Sequence, residues 1–474
     1  KYNFWTRYGI PHERPEFFYG NARKLGKEEH AAEFCDRYYK KFKNYGGKFC
    51  GAYLYFDPIV IVTDLDFARK VLVEDFKYFP GVGTYSNEKD DPISANVFTL
   101  EGDRWRLLRQ KLSPTFTAGK IRQMFETVLK TTNQFDEYLN EFTREKPEIE
   151  ARTFFSRYTT DIIAKCAFGL DTNSLRNPEN IFAKMGMKAI NSPPKSILFL
   201  FLTNNFPKLS RFLGIKIVQT DVAEFFLDIV TKTVSFREKN KIEKNDFLDS
   251  MIKLKNSESR LTVPQIAAQS FALWTAGFES SSSTMSLCLY ELAFNEEIQS
   301  KARQCVLNVL NKYDGQLTYD GIMEMTYLDW CINEILRMYP IVGVHFRKAK
   351  YDYKLPDTDC IIKKGTQVAI PAYSIHYDSN YWEEPNVFNP ERFSPENTKN
   401  WHSFQFLPFG EGPRMCIGIR FVYMQTKIGL STILKNLAVK KCAKTPDRPL
   451  TFSKSPFLLV PEHGIWLKFE KLSV

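Results

Sequence analysis

The chain has 474 residues, 43% of them hydrophobic and 15% aromatic, 40 being Phe, which is enough apolar material for a large buried core. Its net charge of +10 is spread along the chain without a clustered basic run or a recognisable nucleic-acid module, so nucleic acid is excluded, and an acidic protein partner or an anionic membrane surface fits better. Nine cysteines, an odd number at irregular spacing, exclude a disulfide framework and indicate a reduced compartment.

In chain order, the opening is turn-rich, with Gly9-Ile10-Pro11 and Arg14-Pro15. Apolar alternation over Gly51–Phe56 and Ile59–Val62 predicts a small sheet bounded by Asp57-Pro58. Helical periodicity dominates from residue 103 to 340, with breaks at Pro193-Pro194 and Pro207. Short strands are expected from Tyr351 to Ile370, then an irregular segment from Tyr381 to Asn400, a cysteine loop, a helix, and a terminal hairpin between Leu450 and Phe469. The greasiest run, Ser196–Leu202, falls short of the roughly 18 apolar residues that a membrane span needs. It suits a core helix end or a patch dipping into lipid.

Within the helical part, Phe271–Tyr290 reads as one long buried helix whose middle breaks local rules. Gly277 mid-helix costs up to about 1 kcal/mol against alanine. The serines compete for backbone hydrogen bonds, and Glu279 is an acid in apolar surroundings. Such conflicts mark places where function intrudes. Further on, Glu334-Ile335-Leu336-Arg337 sets an acid and a base three apart on one helix face. His345 and His376 read as satisfied structural histidines rather than ligands or acid–base groups.

The most specific stretch is Phe409-Gly410-Glu411-Gly412-Pro413-Arg414-Met415-Cys416-Ile417-Gly418. Its glycines let backbone approach a flat ligand, and Cys416 presents its sulfur beside backbone N–H groups that stabilise a thiolate. Such a sulfur suits an iron that must push electron density toward bound oxygen. Zinc is disfavoured, because no second Cys or His stands at ligand spacing.

Every fixed position of Phe-x-x-Gly-x-Arg-x-Cys-x-Gly is filled, and the stretch resembles the haem-binding loop of the cytochrome P-450 monooxygenases. Ala276-Gly277-Phe278-Glu279-Ser280-Ser281 resembles the oxygen-binding helix of that family, with Glu279 at its acid and Ser280 where threonine is usual. By that resemblance, Glu279 and Ser280 are the catalytic proton-delivery pair. Serine lacks the β-branch that stiffens χ1, so looser proton delivery and more peroxide leakage are expected. The resemblance also makes Trp105, Arg109, Arg347, Arg414 and Phe409 haem contacts and Cys416 the metal ligand. Pro390-Glu391-Arg392-Phe393 adds Arg392 to Glu334 and Arg337 as a buried structural network. An Asp-Arg-Gly turn frequent in insect members is replaced by Gly81-Val82-Gly83.

Asp91–Phe98 and Ser113–Thr117 resemble the insect microsomal detoxifying branch. That implies a lipophilic pocket built from Phe98, Ala272, Ala276, Ile341, Val342 and, near Phe457, Leu458. The implied fold is mainly α with small β-sheets, the P-450 fold, in one large domain over residues 1–474. The implied cofactor is haem b, with O2 and NADPH-derived electrons delivered by a flavoprotein reductase; a small electron-transfer haem protein is a further candidate partner. Substrates would be lipophilic foreign compounds such as insecticides or plant toxins, although an endogenous hormone stays open. The implied location is the cytosolic face of the endoplasmic reticulum, on a membrane surface, with an N-terminal anchor preceding Lys1. Two alternatives compete. A peroxide-rearranging isomerase or dehydratase usually loses the acid–hydroxyl pair that Glu279-Ser280 retains. A haem protein that only sequesters lipophiles would have no need of the full catalytic set.

Overall fold

The computed structural model describes residues 2–190, 197–257, 260–454 and 458–472. Its principal elements begin with α1 (Ala31–Phe42) and the hairpin of β1 (Phe49–Leu54) and β2 (Asp57–Val62). The helical block comprises α2 (Gly102–Leu112), α3 (Ala118–Glu145), β3 (Glu148–Glu150), α4 (Ala151–Ile163), α5 (Pro207–Phe212), α6 (Thr220–Asn240), α7 (Val263–Phe294) and α8 (Thr326–Met338). After it come β4 (His345–Lys348), β5 (Tyr353–Lys354), β6 (Ile361–Ile362), β7 (Gln367–Ile370), α9 (Ile419–Leu434), β8 (Leu437–Lys440) and β9 (Trp466–Lys471). The fold is mainly α with small sheets.

The axis of the molecule is α7. Its start is fixed by a reciprocal cap: Thr262 Oγ1 accepts from Gln265 N, and Gln265 Oε1 accepts from Thr262 N. Pro264 stands in the first turn, where no N–H is needed. From there 32 residues run unbroken, about 48 Å at 1.5 Å per residue. Nearly all of its second half is buried, against α4, α6, α8 and α9. Gly277 has a packing reason: a Cβ there would lie 2.7 Å from Ile163 Cδ1 of α4. The missing side chain therefore leaves room for Ile163 of α4 at this point, a packing reason for a residue of poor helix propensity.

The four-stranded sheet has the order β1-β2-β7-β4, with β2 and β7 parallel and the other pairs antiparallel. Asp57-Pro58 does not bound the hairpin; it opens β2. Pro58 sits one residue before the β7 pairing begins at Ile59, so its missing N–H leaves no rung of the parallel ladder empty. Strands return at His345 rather than Tyr351. The terminal hairpin also differs from expectation: β9 pairs with β8 and β3, and among the described residues the stretch from Leu450 contributes an isolated bridge, Phe452 to Pro461. Pro449 and Pro461 each remove a ladder donor there. Pro207 opens α5 in its first turn, and Pro193-Pro194 lie outside the described residues. One hydrophobic cluster runs from Ala32 to Phe469, and a second wraps the four-stranded sheet and includes Leu407.

Candidate functional site

The cysteine loop is held at both ends. At its start, the Leu407 peptide lies between two histidines: Leu407 N donates to His376 Nε2 at 2.8 Å, and His345 Nε2 donates to Leu407 O at 2.7 Å. His376 Nδ1 donates to Arg337 O at 3.0 Å, so its partners fix it as the Nδ1–H tautomer and His345 as Nε2–H. Burial holds His345 down at about 4, and burial plus the Arg337 charge holds His376 at about 3. Both are neutral near pH 7. At the other end, Cys416 N donates to Phe409 O at 2.9 Å, and α9 begins three residues later. Gly412 has φ +75°, and a Cβ there would meet Leu72 O at 2.2 Å, so the loop has room for glycine alone.

Burial pushes the Cys416 thiol up; the Gly418 N–H and the Arg109 charge pull it back in part. The backbone alone therefore does not make a thiolate, whereas a coordinated metal deprotonates such a thiol outright. Phe409 is half-buried, its ring 5.8 Å from that of Tyr423 on α9.

Around this loop stand arginines without counter-anions. Arg109 Nη2 donates to Met415 O at 2.9 Å. Arg414 donates from Nε to Pro80 O, from Nη1 to Phe98 O and from Nη2 to Leu100 O, and it stacks 4.2 Å over the buried Trp105 ring. Arg347, only 4% exposed, donates Nη1 to its neighbour's carbonyl and leaves a buried Nε without a partner. Burial brings Arg347 down to about 10. Burial and repulsion from Arg347 and Arg109 bring Arg414 to about 9, with Glu101 the one opposing charge. Among the described residues none of the three forms a salt bridge. An unpaired cation is costly when buried, as Arg347 is, and less so when half-buried, as Arg109 and Arg414 are; the set suits a ligand carrying carboxylates, and the propionates of haem fit it. Arg347 has the donor to spare, while Arg414 is mostly committed to holding the loop.

The face of α7 toward this region is open. Ala272 and Ser280 are half-buried and Ala276 is exposed, four residues apart each time; Leu273 and Thr275 beside them are half-buried too, and the helix is closed from Ser281 to Ala293. Ser280 Oγ donates to Ala276 O at 2.5 Å. Glu279 lies fully buried, and its Oε1 accepts from Arg152 Nε at 2.7 Å and Ser283 Oγ at 2.9 Å. No hydrogen bond joins Glu279 to the Ser280 hydroxyl. Arg152, at the start of α4, has no signal in the sequence, because its partner is 127 positions away.

The expected pocket residues reach the site by separate ties. Val97 N donates to Gln269 Oε1 of α7, and Phe98 O accepts from Arg414, so Phe98 bridges helix and loop while 44% exposed. Leu459 N donates to Ile341 O, which sets the half-buried Leu458 beside Ile341 and Val342. Phe457 lies outside the described residues.

Glu334, Arg337 and Arg392 are brought together. Arg337 Nε and Nη2 donate to the two Glu334 oxygens at 2.7 and 2.8 Å, and Arg392 Nε reaches Oε1 at 3.3 Å. Arg337 Nη1 also donates to His376 O, so the network continues through His376 to Leu407 and the cysteine loop.

A cysteine at a helix start, a buried and two half-buried arginines that form no salt bridge, and a partly open helix face beside them suit a haem-thiolate enzyme. The family model described as cytochrome P-450 matches residues 10–469. The chain is 40% identical over 489 residues to the Drosophila melanogaster "Probable cytochrome P-450 6a14", covering 99% of this chain and 96% of that protein. It is 40% identical over 481 residues to cytochrome P-450 6A1 of Musca domestica, covering 99% and 94%. The chain belongs to the cytochrome P-450 family, grouping with these insect 6A proteins, and is a monooxygenase that uses haem iron and O2.

Proposed function

We propose that this enzyme inserts one oxygen atom of O2 into lipophilic foreign compounds, insecticides or plant toxins among them, with electrons from NADPH passed on by a flavoprotein reductase. The observation that carries the reading is the partly uncovered stripe Ala272, Ala276, Ser280 on a helix whose second half, Ser281 to Ala293, is closed, with Phe98, Val342 and Leu458 also left partly uncovered. An apolar lining with one hydroxyl orients a greasy molecule without charge recognition.

Haem bound at this site supplies the activation of O2. Cys416 would bind the iron, and Phe409 packs against Tyr423 beside the loop. Trp105, Arg109, Arg347 and Arg414 would hold the propionates. The Ser280 hydroxyl holds a proton-donating water on the open face. Glu279, linked toward solvent by the 20% exposed Arg152 side chain, restores the proton. Glu334, Arg337 and Arg392 keep the loop in place through His376.

The enzyme works on the cytosolic face of the endoplasmic reticulum. No helix of the described residues is long and apolar enough to cross a membrane. The apolar run Ser196–Leu202 begins outside the described residues, but just beyond it Phe206, Leu209, Phe212 and Leu213 are exposed, Phe212 by 87%, with Lys208 and Arg211 between them. Such a patch rests on an anionic bilayer, and the net charge of +10 favours an acidic reductase.

The test is the absorption spectrum of the reduced protein under carbon monoxide, followed by NADPH consumption with added reductase. A strongly red-shifted Soret band with lipophile-dependent NADPH oxidation is expected. An ordinary haem–CO band from native, haem-loaded protein would overturn the reading.

A further inference from the structure

Two chain segments that are far apart in sequence meet beside the open stripe of α7. The first, residues 85–97, is braced internally: Asp91 N donates to Asn87 O, Asn87 N to Ser94 Oγ, and Ser94 Oγ to Asp91 O. It is pinned to α7 where Val97 N donates to Gln269. The second, residues 211–218, leads into α6, which leans on α7 through Phe226, its ring 5.0 Å from Phe271. Gln269 and Phe271 stand three residues and one residue before Ala272, so the first segment and the helix that the second leads into are anchored at the same end of the stripe.

Between them runs a strap. Arg211 Nε donates to Ser86 O at 2.9 Å, Tyr85 Oη to Ile215 O at 3.1 Å, and Asn87 Nδ2 to Ile215 O at 3.4 Å. Ile217 N and Val218 N both donate to a single oxygen, Asp91 Oδ2, at 2.9 and 3.0 Å. Asp91 is 1% exposed, and its second oxygen is buried without a partner. A buried carboxylate that accepts two successive N–H groups is the strongest tie in this set, because its bonds are charge-assisted. Without it, two N–H groups would be stranded.

We propose that Asp91 is the fastening of this strap and thereby a specificity-determining residue, governing how readily bulky lipophiles reach the α7 stripe. The inference rests on the function proposed above. Asp91→Asn keeps an acceptor oxygen without the charge and should weaken the fastening, whereas Asp91→Leu should destroy it.

The test uses the haem-loaded full chain. Amide hydrogen exchange at Ile217 and Val218 reads the strap, and stopped-flow Soret shifts read the entry of imidazole and of the bulky 1-tritylimidazole. D91L should raise exchange at those amides by at least about tenfold, as expected when charge-assisted bonds that hold a segment closed are lost. It should also speed entry of 1-tritylimidazole by about fivefold or more and that of imidazole by less than about twofold, a size-selective change expected of a looser entrance. D91N, which keeps the acceptor oxygen and loses the charge, should fall between the parent and D91L in amide exchange and in 1-tritylimidazole entry. Unchanged exchange and entry in D91L, or a D91N as loose as D91L, would overturn the proposal. Should D91L not load haem, Arg211→Ala cuts a second tie of the strap at the surface; a rise of about twofold in 1-tritylimidazole entry supports the proposal and an unchanged rate overturns it. A parent chain without the red-shifted CO band would remove the oxygenase reading and the entry claim with it, while amide exchange still decides whether Asp91 fastens the strap.

Discussion

The two sides of the site are built differently. On the cysteine side, each polar group answers another: Glu334 to Arg337 and Arg392, Arg337 to His376, His376 to Leu407, and Leu407 to His345. On the α7 side, alanines and a serine face open space, and the bounding segments are tied at a few points. One side must hold a sulfur at a fixed place. The other must admit molecules of different shapes, which a closed hydrogen-bonded wall would exclude.

The largest way to break this contrast is to open the cysteine-side network. Glu334→Ala leaves the fully buried Arg337 without its partner, a loss of about 3–5 kcal/mol. Thermal unfolding should show a large fall in Tm, and haem incorporation should fall with it because His376 and Leu407 lose their anchor. A stable, haem-loaded E334A would refute the idea that the loop depends on this network.

Acid should act on the same side. His345 and His376 have folded pKa values of about 4 and about 3, below the ordinary histidine value. The unfolded chain therefore binds more protons as pH falls below about 6.5. Their contribution is full above that pH and is lost progressively down to about pH 4 and pH 3. Each histidine contributes up to about 1.4 kcal/mol per pH unit within its window. His30, held near 4 by burial and set at the start of α1, adds to the same slope. Denaturant unfolding between pH 7 and 4 measures it, and His345→Phe should flatten the curve. An equal slope in H345F would mean that His345 is not the group titrating.

The cysteine side is also where the sequence was most informative. The loop, Glu334, Arg337 and Arg392 stand in short fixed patterns, because hydrogen-bonded geometry tolerates few residue types at few spacings. The α7 helix was legible from its apolar length and its interrupted middle. The reason for Gly277 was not, since Ile163 lies on another helix. Arg152 and the Asp91 strap were equally hidden, as each joins segments more than a hundred residues apart that no local pattern connects. The terminal hairpin was misplaced because β9 pairs with β3 and β8, segments far off in the sequence, rather than with the stretch beside it.

Adjacent residues of α7 sharpen the comparison at smaller scale. Gly277→Ala drives a Cβ to 2.7 Å from Ile163 Cδ1 and should cost about 1–3 kcal/mol by overpacking, less up to about 1 kcal/mol regained in helix propensity. Ala276→Leu, one residue earlier, adds bulk to the open face and should leave Tm nearly unchanged while narrowing the range of lipophiles that shift the Soret band. Calorimetry and ligand titration of the two variants should therefore give opposite patterns. Equal losses of stability would show that the face at Ala276 is closed.

The smallest effect concerns the hydroxyl on that open face. Ser280 donates to Ala276 O at 2.5 Å, which parks the hydroxyl on the helix backbone when nothing else engages it. Without a β-branch the side chain also has free choice of χ1, so a water meant to carry the proton is held only part of the time. Threonine at this place keeps the oxygen and adds the methyl that restricts χ1. Ser280→Thr should lower the ratio of hydrogen peroxide released to NADPH consumed by about twofold, the scale of a modest rotamer preference, with substrate affinity unchanged. Glu279 bonds to Arg152 and Ser283, so the substitution leaves the proton source intact and tests delivery alone. An unchanged ratio would mean that rotamer freedom at residue 280 does not govern the leak, and that the buried Glu279–Arg152 pair sets the rate at which protons arrive.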